Sequence, residues 1–94
     1  MDRLDQIILD AAYAKIDASE AKRVTGKTVW KDVAGKWDIA PPQVSARLAR
    51  HVSQGLLEKD EAKASNRYKV YAPTSAGYAA WRALGDGGTP RRNR

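Results

Sequence analysis

One stretch of this chain, Thr28 to Ala72, constrains the fold more than any other. It reads TVWKDVAGKWDIAPPQVSARLARHVSQGLLEKDEAKASNRYKVYA. Pro41 disfavours helical backbone at Ala40, so a helix beginning near Thr28 must end before it. A proline is well tolerated in the first turn of a following helix, where its missing N–H would have no partner. The corner Asp38-Ile39-Ala40-Pro41-Pro42 therefore separates two helices. Thr28 is the expected N-cap of the first, with Asp32 in its opening turn and an apolar face of Val29, Trp30, Val33, Ala34 and Trp37. The second is expected from Pro41 to Gln54, with Val44, Leu48 and Val52 inward and Gln43, Ala46, Arg47 and Arg50 outward. Gly55 stands where a left-handed C-cap is wanted.

The flanks extend the pattern. From Asp2 to about Ala18, Leu4, Ile7, Ile8, Ala11, Ala12 and Ile16 recur at near-helical spacing, and Ala14 and Ala18 widen the apolar stripe. Arg23 to Lys27 breaks that pattern as a short strand or turn. Leu56 to Ala62 alternates as a strand, residues 63–66 form a polar tip, and Arg67 to Ala72 returns. Thr74 or Ser75 then caps a last helix carrying Tyr78, Trp81 and Leu84. Residues 85–94, rich in glycine and like charges, have no apolar anchor and are expected to be a disordered basic tail. The expectation is thus one domain over 1–84, α+β and mostly helical, with a three-helix core, a two-stranded hairpin and a C-terminal helix.

Ninety-four residues suffice for one small core. There is no cysteine and only one histidine, His51, so no metal or other cofactor is expected. No apolar run approaches the ~20 residues that cross a bilayer, and the opening acids Asp2 and Asp5 do not resemble a signal sequence. A cytoplasmic, nucleoid-associated location is expected. The net charge is +6, and its placement matters more than its sum. Residues 1–26 are slightly acidic, whereas 27–54 hold Lys27, Lys31, Lys36, Arg47 and Arg50 against only Asp32 and Asp38. Such a patch calls for an acidic partner, most commonly nucleic acid. Enzyme chemistry is not expected, for no nucleophile–base set or metal-ligand spacing stands out. Gly26-Lys27-Thr28 ends like a phosphate-binding loop, but Ala21 occupies the position of the required upstream glycine.

Two helices at a sharp corner followed by a hairpin is the order of parts in a winged helix-turn-helix. The chain resembles the prokaryotic regulators of the MarR and ArsR type. Ala34, Val44-Ser45-Ala46-Arg47-Leu48, Gly55-Leu56-Leu57 and Thr74-Ser75-Ala76-Gly77 follow the order and approximate spacing of those families, over residues 28–84. The resemblance departs at Asp38, where glycine is common, and at His51, where a core leucine is usual. It also lacks the D-x-R wing signature, the long dimerising helices and the metal-binding cysteines. It implies a stand-alone module that binds double-stranded DNA, probing the major groove with helix 41–54 as a repressor-like, sequence-specific transcription regulator. It also implies a homodimer, expected here through the first and last helices.

On that reading Pro42, Gln43, Ser45, Ala46, Arg47 and Arg50 form the reading surface, where arginine suits guanine and glutamine suits adenine. Lys27, Thr28, Lys31 and Lys36 are phosphate contacts, and Lys63, Asn66, Arg67 and Lys69 belong to the wing. Glu58, Asp60 and Glu61 oppose the last role, so either they face away or the wing is not used for DNA. The aromatic residues are assigned to the core and His51 to a partly buried structural position. Two alternatives stay open: an architectural, genome-handling DNA binder with little sequence preference, and a winged-helix protein-interaction module.

Overall fold

The computed structural model describes residues 2–63 and 69–86, the last two by backbone alone. The order is α1 (Arg3–Ala18), β1 (Val24–Thr25), α2 (Gly26–Ala34), α3 (Pro41–Ser53), β2 (Leu57–Lys59), β3 (Val70–Pro73) and α4 (Ser75–Asp86). The class is α+β, mostly helical, with four helices beside an antiparallel sheet of order β1-β3-β2 among the described residues.

Asp2 caps α1, its Oδ1 accepting from the Asp5 N–H at 2.9 Å. Ile8, Leu9, Ala12, Tyr13 and Ile16 lie along one face at helical spacing and are wholly buried. Ala14 and Ala18, expected to widen that stripe, are exposed instead. Leu9 and Tyr13, absent from the periodic set, are among the largest fully buried side chains.

Helix α2 begins earlier than the sequence suggested. Its cap is Thr25, whose Oγ1 accepts from the Thr28 N–H at 3.2 Å, while the two hydroxyls sit 3.0 Å apart. Thr28 is thus a first-turn residue and not the cap. The choice is made by the sheet, because Thr25 pairs with Val70 of β3 and strand backbone gives way to helix just after it. The helix also ends sooner, at Ala34. Ala34 is exposed, and Trp37 lies in the corner with 43% of its surface exposed, the Arg3 guanidinium 5.8 Å from its ring centre. Trp30 closes the corner by donating its indole N–H to the Ile39 carbonyl at 3.1 Å.

Helix α3 starts at Pro41 as expected, with Gln43 Oε1 accepting from the Ala40 N–H at 2.9 Å. Gly55 ends it with φ +77°, which lets the Leu56 N–H reach the His51 carbonyl at 2.8 Å. Strand β2 is shorter than the alternation over 56–62 implied. Asp60 accepts from the Lys63 N–H and is clasped by Arg23 Nε at 2.6 Å, which turns the chain out of the strand. Strand β3 is central in the sheet, and its Val70, Tyr71 and Ala72 are buried. Helix α4 is capped by Thr74, whose Oγ1 accepts from the Gly77 N–H at 2.9 Å and donates to the Gly55 carbonyl at 2.7 Å. It continues to Asp86, past the Gly85 at which the tail was expected to begin. Residues 87–94, the rest of that tail, lie outside the described residues.

Candidate nucleic-acid interface

With 100° per residue, Val44, Leu48 and His51 define one line along α3, and all three are buried. Pro42, Gln43, Ser45 and Ala46 are exposed on its other sides. Beside the N-terminal half of α3 runs a groove of about 370 Å³, lined by Gly26, Lys27, Trp30, Pro41, Ser45, Lys69 and Tyr71. It brings together a candidate from each expected group: Lys27 on α2, Ser45 on α3 and Lys69 ahead of β3. The corner and the sheet are responsible, since β1 leads directly into α2 while β3 pairs with β1.

Other candidates do not line this groove. Thr28, Lys31 and Lys36 are exposed along α2 and its corner, and Lys63 is exposed in the turn after β2. Asn66 and Arg67 lie outside the described residues. Of the three acids that opposed a DNA role for the hairpin, Asp60 is held by Arg23 while Glu58 and Glu61 are exposed. The Arg23 guanidinium keeps the Asp60 carboxyl below its ordinary range.

Of the two arginines expected on the outward face of α3, one requires a correction. Arg50, about 130° from the buried line, is exposed as expected, whereas Arg47 lies only about 70° from that line and is partly buried. Arg47 leans onto α1, where its Nη1 meets Asp2 Oδ2 at 2.8 Å and Asp5 Oδ1 at 3.1 Å. Arg50 Nη1 meets Asp5 Oδ2 at 3.0 Å. Asp2 and Asp5 are spaced three apart on one helix, and Arg47 and Arg50 three apart on the other, so each pair shares a face. That matched spacing was the available signal. What it lacked was any statement that the two faces meet. The N–H of Asp5, followed by Arg47, draws the Asp2 carboxyl below its usual value, and the two carboxylates raise Arg47.

His51 is wholly buried beneath this cluster. Its Nε2 lies 3.0 Å from the Asp5 carbonyl, which can only accept, so the proton of the neutral ring sits on Nε2. Nδ1 has no hydrogen-bond partner among the described residues. Burial pushes the ring's pKa below 6.5, partly opposed by the Asp5 backbone contact and carboxylate. The unfolded chain therefore binds the proton more readily. Stability is expected to be fully present above about pH 6.5 and to fall as pH drops from there through the lower folded-state pKa. Urea unfolding across pH 7 to 5 is expected to show this loss in the wild type and a flatter profile in His51→Gln. Equal slopes would rule out His51 as its source.

No protein-family model matches this chain, and no curated protein matches it. Among the described residues, no helix is long and apolar enough to cross a membrane.

Proposed function

We propose that this chain is a DNA-binding protein of winged helix-turn-helix design, acting as a repressor-like, sequence-specific transcription regulator. Helix α3 enters the major groove, α2 crosses the backbone, and the β2–β3 hairpin is the wing. The observation carrying this reading is the groove beside α3, where Lys27 and Lys69 from separate elements flank the exposed start of a helix. Two cations bracketing an exposed helix suit a duplex, whose phosphates border the base edges. The order of elements and the proline corner support the same reading, as does the basic excess over residues 27–54.

Lys27→Ala and Lys69→Ala are each expected to weaken binding to a random-sequence duplex and to reduce the salt slope by about 1. The readout is fluorescence anisotropy across a salt series. An unchanged slope in the double variant would remove the groove from the interface.

Dimerisation through α1 and α4 belongs to the same proposal. Ala14 and Ala18 on α1, and Ala76, Ala79 and Ala83 on α4, are exposed and allow close helix approach. Sedimentation is expected to give a dimer at tens of micromolar. A monomer there leaves the DNA reading standing and removes the symmetric one.

A further inference from the structure

We propose that Asp5 is a positioning residue for Arg50, and that Arg50, not Arg47, is the guanine-reading side chain of α3. This deepens the DNA-binding reading above and rests on it.

The two oxygens of Asp5 are divided between the arginines. Oδ1 accepts from Arg47 and Oδ2 from Arg50, while the Asp5 carbonyl accepts from His51. One residue of α1 thus grips three positions along α3. Its side chain is only 4% exposed, so the anchor is a fixed part of the packed interface.

The arginines differ in what remains available. Arg47 is 24% exposed and serves two carboxylates, Asp2 and Asp5. Its charge is matched at the α1–α3 contact, where it acts as a strut. Arg50 is 50% exposed and engages Asp5 through Nη1 alone. Its Nη2 and Nε donors have no hydrogen-bond partner among the described residues. The planar guanidinium therefore has one corner anchored and its other donors open, as a two-point contact to guanine O6 and N7 requires.

The carboxylate behind Arg50 also decides between base and phosphate. A phosphate carries a full negative charge and is repelled by Asp5, which offsets much of the attraction to Arg50. Guanine O6 and N7 are neutral acceptors and feel less of that repulsion. An arginine already held in place loses less freedom on binding than one recruited from solvent. The paired arrangement thus favours geometry over raw charge.

The test is selection from a randomised duplex pool, with sequencing, for the full chain and for Arg50→Lys and Asp5→Asn. The wild type is expected to enrich guanine at one position of each half-site. Arg50→Lys keeps the charge without the fork, and is expected to cut that enrichment about tenfold while other positions hold. Asp5→Asn is expected to blunt the same position by at least about threefold, with the helical circular dichroism retained. A merely structural role for Asp5 would lower stability without altering one base preference. Should Asp5→Asn lose the fold, Asp5→Glu replaces it, since the carboxylate is then kept but displaced; the same guanine position is expected to weaken. Full guanine enrichment in Arg50→Lys, or in the folded Asp5 variant, overturns this assignment and leaves the DNA-binding reading intact. Pool binding by the wild type with no enriched position instead removes the sequence-specific reading on which it stands.

Discussion

Gly77→Ala is expected to cost more than about 3 kcal/mol and to lower the melting temperature by more than about 12 °C. Alanine is the better helix former by roughly 1 kcal/mol, so propensity alone would make this substitution stabilising. Sterics decide the other way. A Cβ at Gly77 would overlap both the Tyr13 hydroxyl and the backbone carbonyl of Leu56. Neither can step aside cheaply, because Tyr13 is wholly buried and its hydroxyl donates to that carbonyl at 2.5 Å. Relief requires moving α4 away from α1. That movement strains the Thr74 N–H to Tyr13 contact at 3.1 Å and the Thr74 link to Gly55. Thermal unfolding followed by circular dichroism checks this. A variant melting within about 5 °C of the wild type would mean that α4 does not seat this closely.

Tyr13→Ala is expected to be of similar or greater severity. The ring packs edge-on against Tyr78 at 5.1 Å and stacks against Trp81 at 5.8 Å, and Trp81 in turn donates to Asp10. Emptying such an aromatic site costs about 3–5 kcal/mol. The Leu56 carbonyl and the Thr74 N–H also lose the hydroxyl, adding roughly 1–3 kcal/mol. A domain with a total stability of about 5–15 kcal/mol has little left after that loss. Tyr13→Phe keeps the ring and is expected to lose only the hydrogen-bonding part. It also removes one of the atoms that the Cβ at position 77 strikes, leaving the Leu56 carbonyl, so the pair Tyr13→Phe with Gly77→Ala is expected to destabilise by less than the sum of the singles. Urea unfolding of the four proteins measures this coupling, expected at about 0.5–3 kcal/mol. Additive losses would contradict the contact.

These two residues also mark where reading the sequence stopped. Gly77 was noticed only as part of a motif, and Tyr13 not at all, because their importance lies in a contact between α1 and α4 across more than sixty positions of chain. Local rules worked where causes are local. The proline corner, the left-handed Gly55 and the start of α3 were legible because each depends on the backbone limits of one or two residues. The N-cap of α2 was misplaced by three residues because Thr25 and Thr28 carry equivalent hydroxyls; the pairing of Thr25 with Val70 chooses between them. Trp37 sits seven residues after Trp30 and looked like core, but α2 ends at Ala34 and the periodicity does not survive the helix end.

The candidate site was legible by type more than by arrangement. Charge density over 27–54 points to a basic surface, and Lys27, Ser45 and Lys69 are legible by residue type, but that they line one groove follows only from the fold. In the sequence, Asp2 and Asp5 stand out only as opening acids unlike a signal sequence, and nothing there links them to Arg47 and Arg50, which they hold. Whether a surface arginine is available or already paired is a tertiary property. Asp5 and Arg50 stand forty-five positions apart, and no periodicity connects them.

The most direct test of the central claim is binding of the full chain to a labelled random-sequence duplex pool at two salt concentrations, followed by selection and sequencing. The account predicts binding at low salt with a steep salt dependence, and enrichment of a two-fold symmetric site that survives the higher salt. Salt-sensitive binding without any enriched site would replace the regulator with an architectural DNA binder. Absence of binding at low salt would contradict the account outright.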